Sequence, residues 1–248
     1  FTDEVVIMNK TIHYIWLGGK KKPRVVRKCI AGWKALMPGW KIKEWNESNV
    51  DLDKYAFCRE AYDAGKYAFA ADVLRFEILH NEGGLYFDTD VKMLKSFEAL
   101  VQKYDSFAGY EYTMVAPGLV LYTAESGNPI ISQMLKVYSN THFIIDGAEN
   151  QKVVGAYFSE ILEKHGFVYE DKLQCCGGFT VLPSTYFCPT DGYGNLINFS
   201  EDSSPVHLFA ASWMPVRERA KRAFKRFCYG KLGKERIQNI KRFILRKG

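Results

Sequence analysis

The chain reads as an α/β protein with a mostly parallel central sheet flanked by helices. Three observations carry that reading. Buried-type strands, rich in β-branched and aromatic residues, alternate with stretches whose apolar residues recur at three- and four-residue spacing. A glycine pair, Gly83-Gly84, separates the longest helical stretch from the next strand, where a left-handed helix stop is expected. The 248 residues are 47% hydrophobic and 15% aromatic, ample for a sizeable core.

Residues 11–17 (TIHYIWL) form the expected first strand, which stops at Gly18-Gly19 and a Lys-rich turn ending at Pro23. Residues 24–36 have helical apolar spacing and end before Pro38. WKIKEW, residues 40–45, alternates as a second strand; a loop follows to Asp53. Helices are expected over about 54–64 and 67–81, then a strand through LYFDTDVKML. Short strand-like runs such as GLVLYT fill the region around 105–125. Residues 129–139 and 151–165 read as helices, and 173–213 as strands and loops punctuated by Pro183, Pro189 and Pro205. With no repeat, linker or compositional break before about residue 215, one domain over 1–214 followed by a tail over 215–248 is expected.

The net charge of +6 is unevenly spread. Residues 217–248 hold 13 Lys/Arg against 2 Asp/Glu, whereas the preceding 216 residues hold 21 against 26. A body without a basic stripe of its own argues against nucleic acid as the main partner. Apolar tail residues (Ala223, Phe227, Ile237, Ile240, Phe243, Ile244) recur at helical spacing between cations. That pattern fits a helix packed on the body or one lying on an anionic membrane surface. No apolar run is long enough to span a bilayer, and the six cysteines show no C-x-x-C pair, so they read as free thiols rather than a zinc site.

The chemistry-bearing run is GGLYFDTD. Two carboxylates at i and i+2 on a strand, Asp88 and Asp90, point to one face and can share a hard divalent cation such as Mn²⁺ or Mg²⁺. The triplet alone is cheap. With 12 Asp in the chain, chance predicts roughly 0.6 D-x-D triplets, and Asp51-Leu52-Asp53 is a second one in a loop. Context separates them: Asp88-Thr89-Asp90 ends an apolar strand after a glycine pair and a helix, where ligands bind in α/β sheets. On the preceding helix Asp72 and Arg75 share a face at i, i+3. They fit an ion pair, or a ribose or sugar acceptor and a phosphate-directed fork. Trp16 fits a core residue or a platform for a base, with Gly18-Gly19 leaving room for backbone approach. His207, Ser212 and Trp213 in VHLFAASW form the last polar and aromatic cluster before the tail; His207 fits a structural role or a metal ligand.

The run KYAFAADVLRFEILHNEGGLYFDTDV, with TIHYIWLGG and HLFAASW, resembles the DXD-containing sugar transferases of glycosyltransferase family 32. The resemblance extends from about residue 10 to 213. It implies a GT-A fold with a Rossmann-like nucleotide half and a retaining transfer of a hexose from a nucleotide diphosphate sugar, assisted by Mn²⁺ or Mg²⁺. It further implies donor contacts from Ile15, Trp16, Gly18, Asp72, Arg75, Asp88, Ser212 and Trp213. The metal ligands would be Asp88, Asp90 and His207, and Asp72, Arg75 and Asp90 the residues needed for turnover. Ala71 stands where many relatives have serine. The implied acceptor is a glycan or lipid-linked glycan of a surface polysaccharide, worked on by a cytoplasmic enzyme peripheral to the inner face of the plasma membrane. A toxin-like protein glycosyltransferase and an inactive nucleotide-sugar-binding module are the alternatives.

Overall fold

A computed structural model describes residues 9–187 and the backbone of residues 205–207. Its first half is built of β1 (Thr11–Ile15), α1 (Arg24–Leu36), β2 (Lys41–Trp45), α2 (Ala56–Asp63), α3 (Tyr67–Glu82), β3 (Gly84–Tyr86), β4 (Val91–Met93) and α4 (Glu98–Lys103). The second half comprises β5 (Ser106–Glu111), β6 (Met114–Thr123), α5 (Pro129–Tyr138), β7 (Ile144–Ile145), β8 (Ala148–Glu149), α6 (Val154–Glu163), β9 (Gln174–Cys176), β10 (Phe179–Leu182), α7 (Ser184–Phe187) and β11 (Pro205–His207). Helix α1 has the bounds expected from its spacing, and α3 runs one residue past them to the glycine pair. Helix α5 begins on Pro129, with the Asn128 side chain accepting from the amides of Ile130 and Ile131.

Seven strands make one sheet in the order β2-β1-β3-β6-β5-β10-β9. Five of them (β2, β1, β3, β5 and β10) run in one direction, with β6 and β9 reversed. The mostly parallel sheet expected from the alternation of strands and helices is therefore present. Alternate residues along each strand serve opposite faces. Leu85 and Phe87 enter a cluster with Trp33, Met37 and Phe97 from α1 and α4. Tyr86, between them, enters the other cluster with Leu74, Tyr138 and Phe158 from α3, α5 and α6. The sheet is sandwiched between two helical layers, each with its own apolar core.

The strand expected over LYFDTDVKML is in fact two. Strand β3 pairs in the main sheet and stops at Tyr86; among the described residues β4 pairs only with β11, in a separate two-stranded ladder. The Phe87 ring lies among Trp33 (5.5 Å between centroids) and Phe97 (5.1 Å), and its amide still donates to the His13 carbonyl of β1 at 3.2 Å, so the chain departs from the sheet after it. The small β7–β8 hairpin and α4 are likewise absent from the expectation.

His13, fully buried in β1, illustrates how the sheet seats a polar side chain. The indole N–H of Trp45 donates to its Nδ1 at 3.0 Å, so the ring proton sits on Nε2, 3.0 Å from the Gly83 carbonyl. Burial drives its pKa down to about 4, against a smaller opposing pull from Glu82. The folded state thus binds His13's proton less readily than the unfolded chain. Its contribution is complete above the ordinary value of 6.5 and is lost as the pH falls through that value toward 4. In urea titrations across this window, wild type should lose roughly 2–3 kcal/mol relative to a His13→Gln variant on going from neutral pH to about 4.5. A pH-independent difference between the two proteins would refute the linkage.

Candidate active site

The carboxyl ends of the parallel strands β1 and β3 bring the candidate residues to one edge of the sheet. The pair His13↔Tyr86 is the last in the β1–β3 register, and two residues further along the chain from each stand Ile15, at the end of β1, and Asp88, just past β3. Ile15 has its side chain in the core, so it has only main chain to offer a ligand. Trp16 is partly exposed, and its indole N–H donates to the Lys20 carbonyl at 2.6 Å, which ties the β1–α1 loop back on itself. Gly18 adopts φ +88 beside the Tyr67 ring at the start of α3; a Cβ there would come within 2.4 Å of that ring. Its amide donates to Glu47 at 2.5 Å.

Asp88-Thr89-Asp90 lies in the corner between β3 and β4 rather than on a strand. The reading of two carboxylates on one pleated face is therefore corrected. The Val91 amide donates to the Asp88 carbonyl at 3.1 Å, closing a turn that carries the two aspartates. Both ends of the turn are pinned: the Asp88 amide donates to the Gly118 carbonyl at 2.8 Å, and the Trp33 indole N–H to the Val91 carbonyl at 2.8 Å.

Asp88 belongs to a buried polar cluster. Its Oδ1 accepts from the Tyr86 hydroxyl at 2.9 Å and lies 3.4 Å from Nη2 of Arg75. The same Nη2 donates to Asp72 Oδ1 at 2.6 Å, and the guanidinium lies 5.0 Å from the centroid of the Tyr86 ring. Arg75 is only 3% exposed, while the Asp88 side chain keeps 31%. Both readings of Asp72 and Arg75 meet here, because the ion pair exists and extends to the first carboxylate of the D-x-D. Burial pushes the Asp72 carboxyl up to about 7; Arg75 pulls it down and Asp88 adds to the rise. Burial also raises the Tyr86 and Tyr138 hydroxyls well above their usual range. Asp90 stands on the α1 side. There it helps burial raise the Cys29 thiol to about 11.

Sequence reasoning missed Tyr86, Gly118 and Trp33. Tyr86 was legible, since it precedes Asp88 by two residues. Gly118 had a weaker signal in the Pro117-Gly118 pair inside an apolar run. The β5–β6 register jumps from Ala108↔Leu121 to Gly109↔Ala116, so residues 117–120 bulge out of the ladder. A Cβ at Gly118 would meet Asp88 Oδ2 at 2.3 Å and Arg75 Nη1 at 2.6 Å, so only glycine leaves the cluster room.

Of the remaining expected residues, His207 is placed by its backbone alone, opposite Val91 and hence beside Asp90 in sequence. Ser212, Trp213, the boundary at 214 and the tail lie outside the described residues. Among the described residues no three His, Cys, Asp or Glu side chains gather into a metal cage. The donor set nevertheless suits a hard cation: Asp88 and Asp90 offer carboxylate oxygens at a partly open turn, and a ligand's phosphates can complete the coordination.

Residues 23–107, about a third of the chain, match the family described as "Glycosyltransferase sugar-binding region containing DXD motif". This stretch contains Asp72, Arg75, Tyr86, Asp88 and Asp90. The chain is also 21% identical over 172 residues to "Subversion of eukaryotic traffic protein A" of Legionella pneumophila, covering 57% of this chain but only 27% of that relative's length. The solved structure of "PaToxG Glycosyltransferase" superposes with a TM-score of 0.50 at 20% identity, over 63% of this chain and 69% of the other, a likeness of fold. A glycosyltransferase involved in glycosylation of the major capsid of PBCV-1 gives 0.46 at 13% identity, over 87% and 98%.

Two substitutions probe how the cluster holds its carboxylates. Gly118→Ala should cost ~1–3 kcal/mol in chemical unfolding, the range of an overpacked site, because it displaces Asp88 and Arg75. An unchanged unfolding free energy would show that the cluster tolerates a side chain there. Arg75→Met should destabilise by about 3–5 kcal/mol in chemical unfolding at pH 8, because it strands the largely buried Asp72 and the half-buried Asp88 without their cation. A loss below 1 kcal/mol would show the cluster to be solvated.

Proposed function

We propose that the chain is a metal-dependent, retaining glycosyltransferase that moves a hexosyl group from a nucleotide diphosphate sugar, a UDP-sugar in preference, to a hydroxyl of a glycan acceptor in surface or capsular polysaccharide synthesis. One observation carries the reading: Asp88, within the matched DXD region, is set at the carboxyl end of β3 by Tyr86, Arg75 and the Gly118 backbone. Such preparation of a carboxylate is what a ligand-binding strand end requires.

On this reading Asp88 and Asp90 would hold a divalent cation, with His207 as a further ligand, and the cation would neutralise charge on the leaving diphosphate. Asp72, at the edge of the cluster, accepts from a sugar or ribose hydroxyl. Arg75 keeps Asp72 and Asp88 in register and adds positive charge toward the donor. The Trp16 ring faces the base, with Ile15 and Gly18 giving main-chain contacts beside it. Ser212 and Trp213, carried over from the family resemblance, close over the diphosphate and exclude water.

The test is hydrolysis of a donor panel (UDP-Glc, UDP-Gal, UDP-GlcNAc, UDP-GalNAc and GDP-Man) with Mn²⁺, with and without chelator. Asp90→Asn should reduce turnover of the accepted donor by roughly 100-fold or more, the scale of a lost metal-ligand interaction. Wild-type rates in that variant, or in the presence of chelator, would sink the metal assignment. A second reading has a protein as acceptor, prompted by the relative named for subverting eukaryotic traffic. An acceptor screen decides between them, since labelled sugar then passes to protein side chains and to no glycan.

A further inference from the structure

We infer that the exposed face of α1 is a docking surface for an anionic lipid bilayer. Residues 20–43 contain nine Lys/Arg and no Asp or Glu. The rest of the chain up to residue 216 holds 12 Lys/Arg against 26 Asp/Glu, so this segment is a cationic island on an acidic body. Within α1, the buried residues Val26, Cys29 and Trp33 fix the inward side. Arg24, Arg27, Lys28 and Lys34 are all exposed, and their three- and four-residue spacing puts them on the opposite side with Ala31 and Ala35. Lys20 and Lys21, also exposed, extend the cations into the β1–α1 loop. None of these six forms an ion pair with another described residue, whereas Lys22 and Lys43 pair with Glu44 and Glu82.

The shape of the face selects the partner. Thirteen residues of helix extend about 20 Å, and the cations lie along one convex side. Small alanines between them permit close approach to a flat surface. No aromatic residue shares that side, so it lacks the stacking platforms of single-stranded nucleic acid sites. No helix of the described residues is long and apolar enough to cross a membrane; the cations of this face would make contact at the surface by charge. The β1–α1 loop that carries Lys20 and Lys21 also carries Trp16 and Gly18. Docking would therefore set the candidate donor site beside the bilayer, where a lipid-linked acceptor resides. That last step rests on the proposed glycosyltransfer; the docking itself does not.

The test is co-sedimentation of the full chain with vesicles of phosphatidylcholine alone or mixed with phosphatidylglycerol. Wild type should bind only the anionic vesicles, and less tightly as salt is raised. The Arg24→Gln/Arg27→Gln/Lys28→Gln/Lys34→Gln variant should bind them about two to three orders of magnitude more weakly, at about fivefold per cation removed. The tail's cations are intact in both proteins, so the difference belongs to α1. A charge-conserving variant (Arg24→Lys/Arg27→Lys/Lys28→Arg/Lys34→Arg) should bind like wild type, and melting curves should show all three folded. Equal binding by wild type and the neutralised variant would overturn the proposal, as would equal binding to both lipid mixtures. Binding of a soluble anionic polysaccharide or nucleic acid through these residues, without vesicle binding, would also overturn it. Asp90→Asn should bind vesicles like wild type, so a failure of the catalytic reading leaves the docking result intact.

Discussion

The guanidinium of Arg75, buried between two carboxylates, is the interaction on which the site depends. A cation sealed from water at mid-helix is expensive unless oppositely charged and hydrogen-bonded partners surround it. Here they come from two elements: Asp72 lies one turn earlier on α3, and Asp88 lies just past β3. The pairing therefore fixes where the chain leaving β3 sits relative to α3. The two elements are joined at Gly83-Gly84, and the buried cation closes that unit at its far end. Together Asp72, Arg75 and Asp88 carry one excess negative charge when all are ionised, and Asp90 adds to it. On the proposed function a divalent cation would complement that charge.

That arrangement needs space which an ordinary strand would deny it. Strand β6 runs antiparallel to β3, and an unbroken ladder with a side chain at position 118 would fill the volume that Asp88 and Arg75 occupy. The bulge at 117–120 sacrifices ladder hydrogen bonds at one point. In return the Gly118 carbonyl becomes free to take the Asp88 amide. On the other side, Trp33 holds Val91 from α1. Asp88 and Asp90 are thus fixed by different layers of the fold, one from the α3 layer and one from the α1 layer. The turn bridges the two cores that the sheet separates.

Much of this was legible in the residues. The α1 and α3 boundaries followed from Pro38, the glycine pair and apolar spacing, all of which act within a turn or two of chain. The grouping of Asp72 with Arg75 followed from helix periodicity. Asp51, expected in a loop, accepts from the Asp53 amide ahead of α2. What was illegible depended on contacts distant in sequence. Phe87 packs on Trp33 and Phe97, far from it in the chain, and Gly118 matters because β6 happens to lie beside Asp88. A three-residue strand such as β4 carries too little pattern to be separated from β3 by its own alternation.

The acidic and basic ends of the molecule share one loop. From the end of β1 the chain passes Trp16, Gly18 and the exposed lysines, then enters α1, whose inner side sends Trp33 to the D-x-D turn. The same helix therefore supports the carboxylates through its buried side and presents cations on its outer side. The buried side cannot shift without moving Val91, and the loop cannot shift without disturbing Gly18 against Tyr67 and Glu47. Any force applied to the outer face of α1 is thus passed to the turn through a packed tryptophan rather than absorbed by a flexible connection. A surface that binds through α1 would hold the site at a set height and orientation. This follows from the tight packing of interiors, in which neighbouring side chains move together or not at all.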